Sequence, residues 1–535
     1  MAKIIEENDG YKIVLTADRT LMSHYNGLVF IGFGACIPKG LLPDKIYFSM
    51  MCPSIGANRD GSAKYAPCGT RKIEAALLNN GFNREEVVVA HPDHLDRVIG
   101  SNTKVLAISS FDPLGNAPAT TTFTQLLGGE NNYMSLKFEE LLNHPEVQRY
   151  RPKIIVGGPG AWQLEDIEPR DRLGLHSVVI GEGENVVDDL FRKAINGEEL
   201  PGVVRGEAVD DKEIPPIKEP TIEGIVEIAR GCGRGCKFCV PTLQRFRCLP
   251  IKHIMKEVEI NLRAGKQPLL HAEDVLRYKA NGFTVNQEAV IDLFKQVSGY
   301  PGVEHVGMSH FALSSVADAP EVVEGISIML EARDDEWLAG QTGIETASPR
   351  LIEDNMRGKC KPFKPEDWPQ VVVDSFQILS DNHWIPCATL IIGLPGEDEK
   401  DVQMTIDLIG ELEEYKSLIL PLFFVSEGKL DGLQSFNVKD MTRKQCELML
   451  RCWEHSLNWT GPLLEEYFRM TDMNSIGTFG AKKIFAYALR QSRKLVKMCE
   501  DDYDYNLQRM LQDARNGEIT MLPKPLQTIY NYLVQ

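Results

Sequence analysis

The sequence predicts an α/β protein in three parts: a doubly wound, Rossmann-like sheet of parallel strands, a full or partial β/α barrel, and a helical C-terminal region. Three observations carry this. Short apolar runs closed by Gly, Pro, Ser or Asp alternate with helical stretches through the first third of the chain. After a polar, Pro-containing segment at 207–220 (EAVDDKEIPPIKEP), a second strand–helix alternation runs to about Val425. From about Asp431 the pattern is helical and polar, with Trp453, Trp459 and Tyr467 as aromatic anchors. The expected parts are therefore 1–206, 221–430 and 431–535.

In the first part the strand candidates are 28–31 (LVFI), 87–90 (VVVA), 105–109 (VLAIS), 154–156 (IIV) and 178–180 (VVI). Helical stretches at 72–78 and 138–142 lie between them. Sheets of this kind bind ligands beyond the carboxyl ends of their strands. In the second part the candidates open at 224–229 (GIVEIA) and end near His271, Ser309, Thr342 and Ile392.

A chain of 535 residues is too long for one core, and 43% hydrophobic with 25% charged residues is ordinary for a globular protein. The start, MAKIIEENDGYKIV, lacks a secretory apolar region. The longest apolar run, 418–425 (LILPLFFV), is far below the roughly 18 residues a membrane span needs. A cytoplasmic protein with no membrane partner is expected. The net charge of −18 argues against a nucleic-acid partner, and Arg245, Arg247 and Lys252 stand singly.

Without an export signal, the 12 cysteines read as thiols or metal ligands. Three of them form Ala-Arg-Gly-Cys232-Gly-Arg-Gly-Cys236-Lys-Phe-Cys239. Gly231, Gly233 and Gly235 permit positive-φ turns that let three thiolates converge on one loop. Three ligands on an iron–sulfur cluster leave one iron open for a substrate or cofactor. The competing assignment is a structural zinc site, with Cys248 or His253 as fourth ligand.

The CxxxCxxC spacing, with Phe238 before the third cysteine, resembles the signature of the radical S-adenosylmethionine enzymes. That resemblance implies a [4Fe–4S] cluster on Cys232, Cys236 and Cys239, whose open iron chelates S-adenosylmethionine, with Phe238 next to the adenine. Its reductive cleavage gives a 5′-deoxyadenosyl radical. Leu270-His-Ala-Glu273-Asp274 matches the second-strand segment that contacts the methionyl amino group, with Ser309 at the next strand end. Gln341-Thr-Gly343-Ile-Glu345-Thr-Ala-Ser-Pro349 resembles the fourth-strand motif. Leu390-Ile-Ile392-Gly393-Leu-Pro-Gly-Glu397 resembles the fifth-strand motif beside the adenine.

Ahead of this domain, Val156-Gly157-Gly158-Pro159-Gly160 and Ile180-Gly181-Glu182-Gly183-Glu184 resemble the ligand turns of a cobalamin-binding domain. Ser109, Ser110, Asp112, Leu114 and Gly115 would line the corrin or its nucleotide tail, with Thr120, Thr121 and Thr122 as further polar candidates. The D-x-H-x-x-G signature that supplies a cobalt-binding His is missing; the segment 32–70 takes its place after the first strand candidate. His24, His91 and His94 read as surface or core residues. Cys36, Cys52 and Cys68 raise the alternative of a second cluster, as in methylthiotransferases, but their wide spacing is not that of a compact motif.

Together these resemblances imply a cobalamin-dependent radical S-adenosylmethionine methyltransferase working under anaerobic, reducing conditions with a ferredoxin or flavodoxin as electron donor. Residues 355–359 (NMRGK), Pro362-Phe363, 366–368 (EDW) and 452–455 (CWEH) resemble an archaeal branch. That branch includes the glutamine C-methyltransferases, which modify methyl-coenzyme M reductase after translation, so a protein or peptide substrate is expected. A radical cyclase or rearrangement enzyme and a non-catalytic metal-binding scaffold are the other classes.

Overall fold

The computed structural model describes residues 9–25, 29–41, 43–128, 131–240, 245–470 and 475–519. The N-terminal strands are β1 (Ile13–Ala17), β2 (Val87–Val89), β3 (Val105–Ser109), β4 (Lys153–Gly157), β5 (Ser177–Gly181) and β6 (Val203–Gly206). They form one parallel sheet in the order β2-β1-β3-β4-β5-β6. Both faces are covered. Ile13, Leu15 and Ala17 of β1 enter one apolar cluster and Val14 enters the other, which is the alternation a strand buried on both sides must show. The chain leaves β1 on one side to β2 and returns on the other to β3, so the β1/β3 junction is the topological switch point.

The strand expected at 28–31 is not one: Val29–Cys36 is a 3-10 helix, and Leu28 lies outside the described residues. A short apolar run carries no periodicity that separates the two. The sheet instead starts at β1, whose five residues are all buried, and β6 also lay outside the expected set. With β1 in place the next residues are Asp18-Arg19-Thr20, so the cobalt-binding His signature is still missing.

The central strands are β7 (Ile225–Glu227), β8 (Ala229–Arg230), β9 (Arg247–Cys248), β10 (Leu269–His271), β11 (Gly307–Met308), β12 (Leu338–Glu345), β13 (Trp384–Ile392) and β14 (Leu418–Phe423). Parallel pairing gives β7-β10-β11 and β12-β13-β14, and the parallel bridge His310–Gln341 joins β11 to β12. The result is a six-stranded partial barrel. The antiparallel pair β8–β9 brackets the cysteine loop. Residues 207–220 are not a loose linker: Val209, Ile214 and Ile217 are buried, and the Ile217 N–H donates to Glu257 at 3.1 Å.

Helices Arg443–Met470, Ser475–Asp501 and Leu507–Arg515 make the C-terminal region. Among the described residues no helix is long and apolar enough to cross a membrane.

Candidate functional site

Gly231, Gly233 and Gly235 adopt φ of 74°, 69° and 78°, so the cysteine loop uses three left-handed turns that other residues adopt only with strain. Arginines pin this loop. Buried Arg234 donates to the carbonyls of Gly358, Lys359 and Lys361 at 3.1–3.2 Å and to Asp274 at 2.9 Å. Arg277 donates to the Cys232 carbonyl at 2.6 Å. The Lys237 N–H donates to Asn355 O at 2.8 Å, while its carbonyl accepts from Lys429 N at 2.7 Å. The loop thus sits across the mouth of the barrel, tied to segments after β10, β12 and β14.

Burial pushes the Cys236 thiol up to about 11, with the Lys359 ammonium opposing, and raises Cys232 as well. Among the described residues no three His, Cys, Asp or Glu side chains gather tightly enough to hold one metal ion. A cubane asks for a wider spread, because each thiolate binds its own iron. The proposed fourth zinc ligands are engaged elsewhere: Cys248 Sγ accepts from Lys279 N at 3.1 Å, and His253 pairs with Glu257 at 2.8 Å.

The strand ends bring the other expected residues to the same mouth. Burial raises Glu273, and its charge is felt at Cys232. Ser309 Oγ bonds His271 Nδ1 at 2.9 Å and donates to Ala272 O at 3.2 Å. Gln341 donates from its N–H to Ser309 O at 2.8 Å. Glu345 holds φ of 64° at a register shift in β12, and its carboxylate lies directly over Gly343. A Cβ on Gly343 would come 1.9 Å from Glu345 Oε1 and 2.8 Å from Lys359 Nζ. Lys359 donates to Glu345 at 3.0 Å. Burial opposes its charge, but Glu345 and Cys236 outweigh that and raise its pKa. At the β13 end, Ile392 O accepts from Phe424 N at 2.9 Å, and Gly393 N donates to Glu397 at 3.0 Å. Burial pushes Glu397 up to about 7.

Next to the switch point of the N-terminal sheet, the loops after β3 and β4 are zipped together. Ser110 N donates to Gly157 O at 2.9 Å, and Gly160 N to Ser110 O at 3.0 Å. A Cβ on Gly158 would strike Ser109 and Ser110, and one on Gly115 would meet Asn132, while Gly158 and Pro159 stay exposed at the sheet edge. Leu114 N donates to Gln163 at 2.9 Å. Asp112 Oδ1 accepts from Asn116 N, Ala117 N and Gln163 Nε2 at 2.8–3.1 Å. The Thr120 hydroxyl lies by both Asp112 and Cys36 and favours charge on each, while the buried atoms Ser110 Oγ and Thr124 Oγ1 have no hydrogen-bond partner among the described residues. Buried polar groups cost free energy when unpaired, and a ligand bound here would supply the missing partners of Ser110 and Thr124. Thr121 is only half-buried on helix Pro118–Leu127; Thr120 is the threonine on this cluster's side, and Thr122 docks the barrel, accepting from Phe423 N at 2.8 Å.

The turn after β5 serves a different end. Glu182, expected at the corrin, is committed to Arg230 at 3.1 Å and to Arg247. Glu184 pairs with Arg230 at 2.8 Å. A Cβ on Gly181 would come 2.3 Å from Gly206 O, and one on Gly183 2.7 Å from Ile73, so these glycines answer to packing. His24 pairs with Glu223, and His91 bonds Ser54 and Ile55 O, as structural residues. Cys36 and Cys52 share one small core with Tyr47, whereas Cys68 lies by Lys72 and Glu257; the three do not assemble a second centre.

Sequence reasoning passed over Arg234, Arg277 and Lys359. The first lies inside the cysteine motif, but its burial and its acceptors are set by distant segments, and the other two come from those segments themselves.

No protein-family profile matches the chain. Among curated proteins it is 25% identical over 292 residues to an uncharacterized methyltransferase of Pyrococcus horikoshii, covering 49% of this chain and 58% of that protein. It is 24% identical over 231 residues to the ribosomal protein uS12 methylthiotransferase of Acetivibrio thermocellus, covering 41% and 45%. The chain thus spans about half the length of these relatives. Among solved structures, the radical S-adenosylmethionine methyltransferase TsrM of Kitasatospora setae, bound to tryptophan and a SAM analog, aligns over 78% of this chain and 75% of its own with a TM-score of 0.51 and 11% identity. Its form with cobalamin and a [4Fe–4S] cluster covers 82% and 75%, with a TM-score of 0.50 and 12% identity. The shared feature is the fold.

Proposed function

We propose that this chain is a cobalamin-dependent radical S-adenosylmethionine enzyme that methylates a carbon. The observation that carries the proposal is the meeting of two sites. The cysteine loop closes the barrel mouth, and the buried polar residues Ser110, Asp112 and Thr120 beyond β3 stand on the loop and helix that dock against the last barrel strand through Thr122 and Phe423. The shared architecture with TsrM, whose structures hold cobalamin, a cluster and a SAM analog, supports it.

The residues present fit these groups. Cys232, Cys236 and Cys239 would ligate the cluster; Glu273, Ser309, Gln341 and Glu345 would hold S-adenosylmethionine; Ser110, Asp112, Thr120 and Thr124 would pair with polar groups on cobalamin. When bound, these groups supply reductive radical generation and a transferable methyl group. The chain's own part is placement. Arg234 and Arg277 hold the cysteine loop, Lys359 steadies Glu345, and the Glu182–Arg230–Glu184 ion pairs lock the two domains in one relative position. The pairing also keeps water from the joint, since Glu182, Glu184 and Arg247 are buried.

Anaerobic purification with iron, sulfide and hydroxocobalamin, followed by assay of iron, cobalt and 5′-deoxyadenosine, tests this. A protein that takes up neither corrinoid nor cluster sinks it. A methylthiotransferase is the second reading, favoured by the uS12 relative; iron beyond one cluster per chain, lost on substituting Cys36 or Cys52, would select it. The substrate we assign is a protein or peptide, with a glutamine of methyl-coenzyme M reductase as the first candidate from the 355–368 and 452–455 segments. Methylation of that peptide, read by mass spectrometry, is the check.

A further inference from the structure

The segment between β14 and the C-terminal helices returns to the barrel mouth, and the other domain grips it there. Gln125, on helix Pro118–Leu127 of the N-terminal domain, donates from Nε2 to Phe436 O at 3.3 Å and accepts at Oε1 from Val438 N at 2.7 Å. Asn437 between them is extended, with φ of −121° and ψ of 135°. A carbonyl and an N–H two residues apart on an extended chain are the pair that a neighbouring parallel strand would engage, and a carboxamide carries one donor and one acceptor side to match. The helix is firmly seated for this: Leu126 is buried in the barrel's apolar core, and Thr122 accepts from Phe423 N at 2.8 Å.

Phe436 carries the grip to the end of β13. Its N–H donates to Phe424 O at 2.9 Å, and Phe424 N donates to Ile392 O at 2.9 Å. Its ring centroid lies 5.1 Å from that of Phe423. At Gly393, with φ of 83°, an added Cβ would come 2.1 Å from Phe436 Cδ2. The phenyl ring thus fills the space that a side chain on Gly393 would need. The residue after β13 is walled on that side by a ring whose backbone the N-terminal domain holds.

We propose that Gln125 is a positioning residue for S-adenosylmethionine: acting through Phe436, it fixes the wall at the β13 end, so that the barrel's affinity for S-adenosylmethionine depends on a residue of the N-terminal domain. This rests on the radical function proposed above. Gln125 belongs to neither the cysteine loop nor the strand-end motifs, and its hold on the site runs through main-chain groups that any sequence at 436–438 would offer, Pro at 438 excepted.

The test is equilibrium dialysis of the full-length, cluster-reconstituted protein against labelled S-adenosylmethionine, anaerobically and without reductant, so that binding is read apart from cleavage. Gln125→Met keeps the side-chain length and loses both hydrogen bonds; it is expected to weaken binding by about tenfold, the factor for about 1.4 kcal/mol. Phe436→Leu is expected to weaken it to a similar degree, and the double variant no further than Phe436→Leu alone, because residues that act in series are not additive. Variants are compared at the iron content of wild type. Should Gln125→Met fail to load iron, Gln125→Glu, which keeps the acceptor for Val438 N, replaces it, with a smaller loss expected. If the iron-loaded Gln125 variant binds S-adenosylmethionine as wild type does, the inference fails and the function stands. Losses that add in the double variant overturn action through Phe436. If wild type loads its cluster but binds no S-adenosylmethionine, the function itself fails.

Discussion

The guanidinium of Arg230 lies 2.8 Å from the carboxylate of Glu184. One residue sits just before Cys232 and the other on the turn after β5, so the cysteine loop is anchored directly to the N-terminal sheet. Glu182 and Glu227 complete the arrangement, at 3.1 and 2.8 Å from Arg230. Burial opposes charge on Glu227, yet Arg230 and Lys72 lower it to about 2.

Removing one member of a buried pair strands the others. Glu182→Ala leaves Arg230 and Arg247 short of a partner and is expected to destabilise the protein by about 3–5 kcal/mol. Denaturant unfolding measures this. An unchanged midpoint with lost corrinoid would instead return Glu182 to the cofactor.

Cys236→Ala is expected to abolish cluster assembly and 5′-deoxyadenosine formation while corrinoid binding persists, because the two sites draw on different domains. Continued cleavage of S-adenosylmethionine by this variant would show that the ligand assignment is wrong.

Gly343→Ala tests the β12 end. The added methyl would collide with Glu345 and Lys359. Overpacking of this kind costs about 1–3 kcal/mol, and the displaced carboxylate is expected to lower affinity for S-adenosylmethionine by roughly tenfold or more. Equilibrium dialysis against the cluster-loaded protein reads it; wild-type affinity would remove Glu345 from the site.

Glu397 titrates about 7 in the folded chain, against 4.5 for an ordinary glutamate. The folded state holds the proton more tightly, so this group's stabilisation is complete below about 4.5 and is lost as pH rises through about 7. Glu397→Gln is expected to remove a slope of up to about 1.4 kcal/mol per pH unit in that window. Unfolding of both proteins from acid to neutral pH checks it, and parallel profiles would contradict it.

Strand–helix alternation made four of the six N-terminal strands legible, because short runs rich in β-branched residues, flanked by turn residues and separated by helical stretches, favour buried parallel strands. The run at 28–31 failed for the converse reason: four apolar residues fit a 3-10 turn as well. The glycines of the cysteine loop were legible as positive-φ positions. Of those at 181 and 183, Gly181 also turns at a positive φ of 94° and meets Gly206, while Gly183 is set by close approach of Ile73 alone.

By itself the sequence determined the local chemistry: which loop carries three thiols, where its backbone must turn, and where parallel strands end. Only the tertiary structure decided which of those ends meet. Arg234 reaches Asp274, Lys359 reaches Glu345 and Glu182 turns to Arg230 because the partners come from segments distant in the chain. Such pairings depend on long-range packing and on the cost of leaving a buried charge alone, and neither has a signature in residue spacing.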